Sequence, residues 1–194
     1  MLVELFNFFS DSFGPLRVFD YLSFRAIFAT LTALLVSLIL GPRFISKMKA
    51  IEVRQVVGER GPSTHLSKSG TPTMGGTLIL ASILISTILW GDLENRYLWV
   101  ALGVTTLFGA LGWVDDLYKL RYQSSKGLSP LAKIFWQSLI ALAAVLFLFY
   151  SSENINEISL IVPFFKDISL NLGLGFIFLS YLVIIGSSNA VNLT

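Results

Sequence analysis

The sequence contains no cysteine and a single histidine, and only 13% of its 194 residues are charged. Without cysteine there is no disulfide and no thiolate metal site. An average soluble domain is about one-quarter charged, so much of the usual polar surface is missing. The charges that remain are clustered. No Lys, Arg, Asp or Glu occurs in 26–42, 69–91, 97–114, 134–152 or 168–194. A bilayer-crossing helix needs about 20 mostly apolar residues, at about 1.5 Å rise each. Each charge-free stretch meets or approaches that length, and none keeps the charged face of a soluble core helix. The expectation is an all-α polytopic membrane protein, one membrane domain over 1–194, with about five transmembrane helices at 22–41, 73–91, 97–114, 131–150 and 170–190.

The N-terminus does not read as a signal peptide. Glu4 and Asp11 stand where a basic n-region would be, and no A-x-A site follows the first apolar run. Residues 1–20, rich in Phe and broken at Gly14-Pro15, read as an interfacial segment. Cations set the orientation. The loop 42–72 holds Arg43, Lys47, Lys49, Arg54, Arg60 and Lys68, and 115–130 holds Lys119, Arg121 and Lys126. The loops 92–96 and 151–169 are poor in cations. The positive-inside rule therefore makes 42–72 and 115–130 cytoplasmic and the N-terminus periplasmic. A β-prone run at 158–165, interrupted by Pro163, allows a short periplasmic hairpin between helices four and five. The polar ending Ser187 to Thr194 has no basic anchor and reads as a cut, not as a natural terminus.

Four constellations at the cytoplasmic face can carry chemistry. Asp115-Asp116 closes the third apolar run. Anions at a helix C-terminus oppose the macrodipole, and adjacent carboxylates repel. A divalent cation with a phosphate substrate would compensate, and so would pairing with Lys119 in a solvated helix end. The string Lys68-Ser69-Gly70-Thr71-Pro72-Thr73-Met74-Gly75-Gly76 leads into the second helix, with Thr71 as N-cap and Pro72 at N1. That end suits an anion, with Lys68 adding charge and Gly75 and Gly76 allowing close approach. Packing through small residues is the plainer reading of the glycines. Ser129-Pro130 opens the fourth helix with Lys133 in its first turn, either beside a bound anion or as a membrane anchor. Asn189 and Asn192 share one face at the end of the fifth, placed to bind a ligand or bridge helices. His65, alone in a basic loop, is either solvated or a ligand contact. Together the four arrange acids, lysines and amides as a diphosphate bridged to a metal would require.

Pro62 to Lys68, Gly70 to Gly76, Val114-Asp115-Asp116 and Asn189 to Thr194 closely resemble the phospho-N-acetylmuramoyl-pentapeptide transferases, as do Tyr21 to Ala26 and Val162 to Asp167. These belong to the polyprenyl-phosphate N-acetylhexosamine-1-phosphate transferases of the bacterial inner membrane. The resemblance implies that undecaprenyl phosphate attacks the sugar-linked phosphate of UDP-N-acetylmuramoyl-pentapeptide. Lipid I forms and UMP leaves, with Mg²⁺ required, in peptidoglycan synthesis and hence in cell shape and division. It maps the catalytic or metal-associated aspartates onto Asp115 and Asp116. The substrate- and phosphate-binding residues become Lys68, Thr71, Gly75, Gly76, Lys133, Asn189, Asn192 and His65. It also implies a homodimer, and no nucleic acid as a macromolecular partner. The family pattern continues past Thr194 with a further metal-binding aspartate, so this stretch by itself is expected to be an inactive N-terminal half. Transfer of N-acetylglucosamine phosphate to the same lipid is the near alternative. A non-catalytic transport or scaffold module is the distant one.

Overall fold

Apolar runs become helices in lipid because the backbone finds no water there and must satisfy its N–H and C=O groups within each segment. The computed structural model describes residues 2–50, 74–122, 127–162 and 169–193. The chain forms two compact units, Met1–Ser129 and Pro130–Thr194.

The first unit holds α1 (Leu2–Ser10), a 3₁₀ turn (Gly14–Asp20), α2 (Leu22–Ala50), α3 (Gly75–Trp90) and α4 (Arg96–Arg121). The N-terminal segment docks through aromatic rings. Phe6 lies 4.3 Å from Phe19 between centroids, and Phe19 stacks on Trp90 at 5.6 Å. Phe28 of α2 adds a fourth ring at 5.2 Å from Trp90, whose indole N–H donates to Thr32 Oγ1 at 2.9 Å. Helices α2 and α3 then pack through small polar residues. Ser37 and Ser82 share a hydroxyl–hydroxyl bond of 3.0 Å, and buried Ser82 and Ser86 bond back to carbonyls four residues earlier. Small residues let backbones approach where no hydrophobic force draws helices together in lipid.

The second unit holds α5 (Pro130–Tyr150), a 3₁₀ turn (Ile155–Ile158), the strands β1 (Ser159–Ile161) and β2 (Ser169–Asn171), and α6 (Gly175–Leu193). The strands pair antiparallel, Leu160 opposite Leu170, so a hairpin does link the two helices. Ala141 and Val145 are fully buried on α5, and Ser138 and Tyr181 join α5 to α6 at 2.8 Å.

Among the described residues, three helices are long and apolar enough to cross a membrane: Leu22–Met48, Arg96–Arg121 and Pro130–Tyr150. Helices α3 and α6 are apolar but shorter. The outer faces of α2 and α5 carry bare Leu34, Leu38, Phe135 and Phe147. Water-soluble surfaces rarely tolerate such continuous apolar area, and the chain is a membrane protein.

Several ends differ from expectation. Helix α2 does not stop at 41 but runs through Pro42 to Ala50. Proline strains the helical conformation of the residue before it largely through that residue's Cβ, and Gly41 has none. Helix α4 continues past the aspartates to Arg121. Helix α3 begins at Gly75, because Met74 at its N-cap takes a left-handed φ of 68°. The expected N-cap Thr71 and N1 Pro72 lie outside the described residues. Helix α6 begins at 175, not 170, because 169–171 pairs with β1 and Gly173 turns the chain at φ 49°.

Candidate functional site

The acidic pair sits one to two turns before the end of α4. Lys119 follows at i+4 and i+3, where oppositely charged helix neighbours meet. Its ammonium lies 2.7 Å from Asp115 Oδ2 and 3.3 Å from Asp116 Oδ1. The pairing lets the helix run on, and Lys119 and Arg121 then occupy its last turn, where the dipole favours cations. The aspartates thus lie inside the helix, and the dipole opposes them less than a terminal position would.

The two carboxylates are not equivalent. The Asp115 side chain is only 8% exposed, and its Oδ1 accepts the Leu128 backbone N–H at 2.8 Å. Both its oxygens are engaged within the protein, one by a cation and one by the loop that returns to α5. Gly127 lies so close that any Cβ there would overlap the Asp115 carboxylate. The Asp116 side chain is 36% exposed, and among the described residues it is held only through Oδ1. Asp116 therefore presents an oxygen outward, and Asp115 anchors the loop.

No group of three or more His, Cys, Asp or Glu that could hold a metal occurs among the described residues. A pair of carboxylates still fits Mg²⁺ chemically. This ion takes hard oxygen ligands and is commonly held by one or two carboxylates, with phosphates and water completing the octahedron. By exposure Asp116 fits that role better than Asp115.

At the start of α3, Gly75 and Gly76 are exposed, and a Cβ at either would touch nothing within 4 Å. Among the described residues, no neighbour packs closely on these glycines. A helix start of this kind suits an anion. Lys68, Thr71 and His65 lie outside the described residues.

In the second unit, Pro130 is the first residue of α5 and Lys133 is half-buried in its first turn. One turn further, Gln137 is buried, and its Oε1 accepts from Asn189 Nδ2 at 3.0 Å. Asn189 Nδ2 also donates to the Ile185 carbonyl at 2.9 Å. The Asn192 side chain lies outside the described residues. An apolar groove of about 550 Å³ runs between α5 and α6, lined by Phe135, Leu139, Leu142, Ile177 and Phe178. Its polar members, Ser138 and Tyr181, satisfy each other, so it offers little to a nucleotide.

The structure thus joins Asp115 and Asp116 through Lys119 in the first unit, and places Lys133 and Asn189 in the second. Three contributors were not foreseen: Gly127, the Leu128 N–H and Gln137. Only Gln137 left a trace in the sequence, as the one carboxamide in the charge-free run 134–152, four residues after Lys133. The family model described as glycosyl transferase family 4 matches residues 98–194, half of the chain. Phospho-N-acetylmuramoyl-pentapeptide-transferase signature 1 matches residues 68–80.

Proposed function

This chain belongs to glycosyl transferase family 4, and from that premise we propose that it transfers phospho-N-acetylmuramoyl-pentapeptide from UDP to undecaprenyl phosphate, yielding lipid I and UMP. The observation that carries the reading is the pentapeptide-transferase signature over 68–80, taken together with the acidic pair of α4. An oxygen of the lipid phosphate forms a bond to the sugar-linked phosphorus of the donor. The bond from that phosphorus to the bridging oxygen breaks, and UMP departs with the electron pair. Asp116, through its outward oxygen, would accept the proton of a monoprotonated lipid phosphate or help hold Mg²⁺. Mg²⁺, when bound, would neutralise charge on the diphosphate. Asp115 keeps Lys119 and the loop at Leu128 in place around it. The N–H groups at Gly75 and Gly76, with Lys68 and Lys133, would take phosphate oxygens, and Thr71, His65 and Asn192 would complete the substrate contacts.

UMP release by the full gene product, with undecaprenyl phosphate as acceptor, tests the reading. The pentapeptide donor should be used at least tenfold better than UDP-N-acetylglucosamine. The opposite preference would assign the N-acetylglucosamine reaction, and release from neither donor would overturn both.

The proposal includes a bacterial inner-membrane location, five crossings, a cytoplasmic active face and a homodimer. The cation bias of 42–72 and 115–130 supports the orientation. With single cysteines introduced as Ser63→Cys and Ser152→Cys, a membrane-impermeant thiol reagent on intact spheroplasts should label position 152 and spare 63. Labelling of 63 with 152 spared would reverse the orientation and remove every site residue from the nucleotide pool.

A further inference from the structure

A primary amide has two N–H donors and one carbonyl acceptor. The Asn189 nitrogen already donates twice, to Gln137 Oε1 at 3.0 Å and to the Ile185 carbonyl at 2.9 Å. Both donors are committed inside the second unit, and Oδ1 is the atom left to meet a ligand. The residue that imposes this is Gln137. It is buried in a helix with no charge from 134 to 150. A buried amide in such a setting is costly unless hydrogen-bonded. The second acceptor, the Ile185 carbonyl, is backbone four residues earlier on the same helix, so it fixes the nitrogen near the helix surface without choosing its direction. The bond to Gln137 chooses it. Lys133, four residues before Gln137, shares its face of α5.

We infer that Gln137 is a positioning residue, which turns the Asn189 nitrogen inward so that Asn189 meets the sugar nucleotide as a hydrogen-bond acceptor. This rests on the transferase reading, which places Asn189 at the substrate. Phosphate oxygens only accept, so an asparagine serving them would turn its nitrogen outward. The orientation held by Gln137 selects instead a donor on the ligand: a sugar hydroxyl, or an amide or imide N–H. Phosphate recognition on this unit then falls to Lys133, and Asn189 reads the organic part of the donor substrate.

The test is steady-state UMP release by the full gene product, with each substrate varied, beside thermal melts. Gln137→Leu keeps an apolar bulk but removes the acceptor. It should raise KM for the UDP donor roughly 3- to 10-fold, the worth of one hydrogen bond. KM for the lipid phosphate and kcat should change less than about twofold. Gln137→Glu restores an acceptor oxygen and should return KM towards the parent value, whereas Gln137→Met, of similar length without a strong acceptor, should not. Asn189→Asp keeps the outward acceptor, and Gln137 can turn its own N–H towards the new oxygen; the Ile185 carbonyl repels that oxygen, so recovery is partial, but this variant should still outperform Asn189→Ala. An impaired Asn189→Ala beside an unchanged Gln137→Leu would overturn the inference. So would losses that merely follow folded protein. Should Gln137→Leu fail to accumulate, the Asn189 pair decides, and Asp no better than Ala would show a donor role and overturn it. Full activity in Asn189→Ala would also overturn it, with the transferase reading intact. Failure of that reading itself would appear separately, as no UMP release by the unmodified protein.

Discussion

Asp116→Asn is expected to lower turnover of the full gene product by about 10²-fold or more, while its melting temperature stays near that of the parent. Asparagine keeps the shape of the side chain and removes its charge and its capacity to accept a proton. The structural loss is small. Asp116 contributes one 3.3 Å contact to Lys119, and Lys119 keeps its shorter 2.7 Å bond to Asp115. An exposed helical ion pair of this kind is worth roughly 0.3–0.5 kcal/mol. Stability and activity should therefore separate at this position. UMP release measured across Mg²⁺ concentration then resolves the role. A proton acceptor leaves a deficit that persists at saturating Mg²⁺, whereas a metal-holding carboxylate gives a deficit that excess Mg²⁺ partly repairs. Near-normal turnover at every Mg²⁺ concentration would remove Asp116 from the chemistry.

The contrast between the two aspartates could not be read from the sequence, although their presence could. Charge-free runs announce helices because lipid leaves the backbone no other solution, and all five runs contain one. Where helices stop is a balance of weaker terms. The first and third apolar runs end near 41 and at the acids 115–116, yet both helices run on, because Gly41 relieves the strain before Pro42 and Lys119 neutralises the acids. The start of α6 was misplaced because 169–171 is as free of charge as the helix itself. Its strand pairing depends on β1, eight residues earlier, which no local pattern specifies. The site shows the same division. The types and order of Asp115, Asp116, Lys133 and Asn189 were legible because charged and amide residues stand out in apolar sequence. The reach of Leu128 back to Asp115, and the bond from Gln137 across to Asn189, are tertiary contacts between elements 13 and 52 residues apart. No helical or strand period connects positions so distant.

Those tertiary contacts reverse one expectation. A carboxylate at a helix C-terminus should be neutral or mildly stabilising to remove. Asp115 is instead buried inside the helix and holds both Lys119 and the loop at Leu128. Asp115→Ala is expected to destabilise the protein by about 2–3 kcal/mol. Roughly 1 kcal/mol is the orphaned Leu128 N–H. The rest is the ion pair, kept well below the 3–5 kcal/mol of a fully buried pair because Lys119 is 38% exposed and water partly screens it. Gly127→Ala should cost roughly 1–3 kcal/mol by overpacking, since its Cβ would enter the space of the Asp115 carboxylate and force the loop away. The two losses share one cause, so they should not add. With Asp115→Ala already in place, the carboxylate that collides with the new methyl group is gone, and Gly127→Ala should become nearly neutral. Thermal melts of the two single variants and the double variant measure that coupling, expected at about 1 kcal/mol or more. Additive losses would mean that Gly127 and Asp115 act independently and that the loop is held by something other than this carboxylate. Activity should fall in both single variants as the loop loosens, and it should fall in proportion to the lost stability, which is the behaviour that separates Asp115, the anchor, from Asp116.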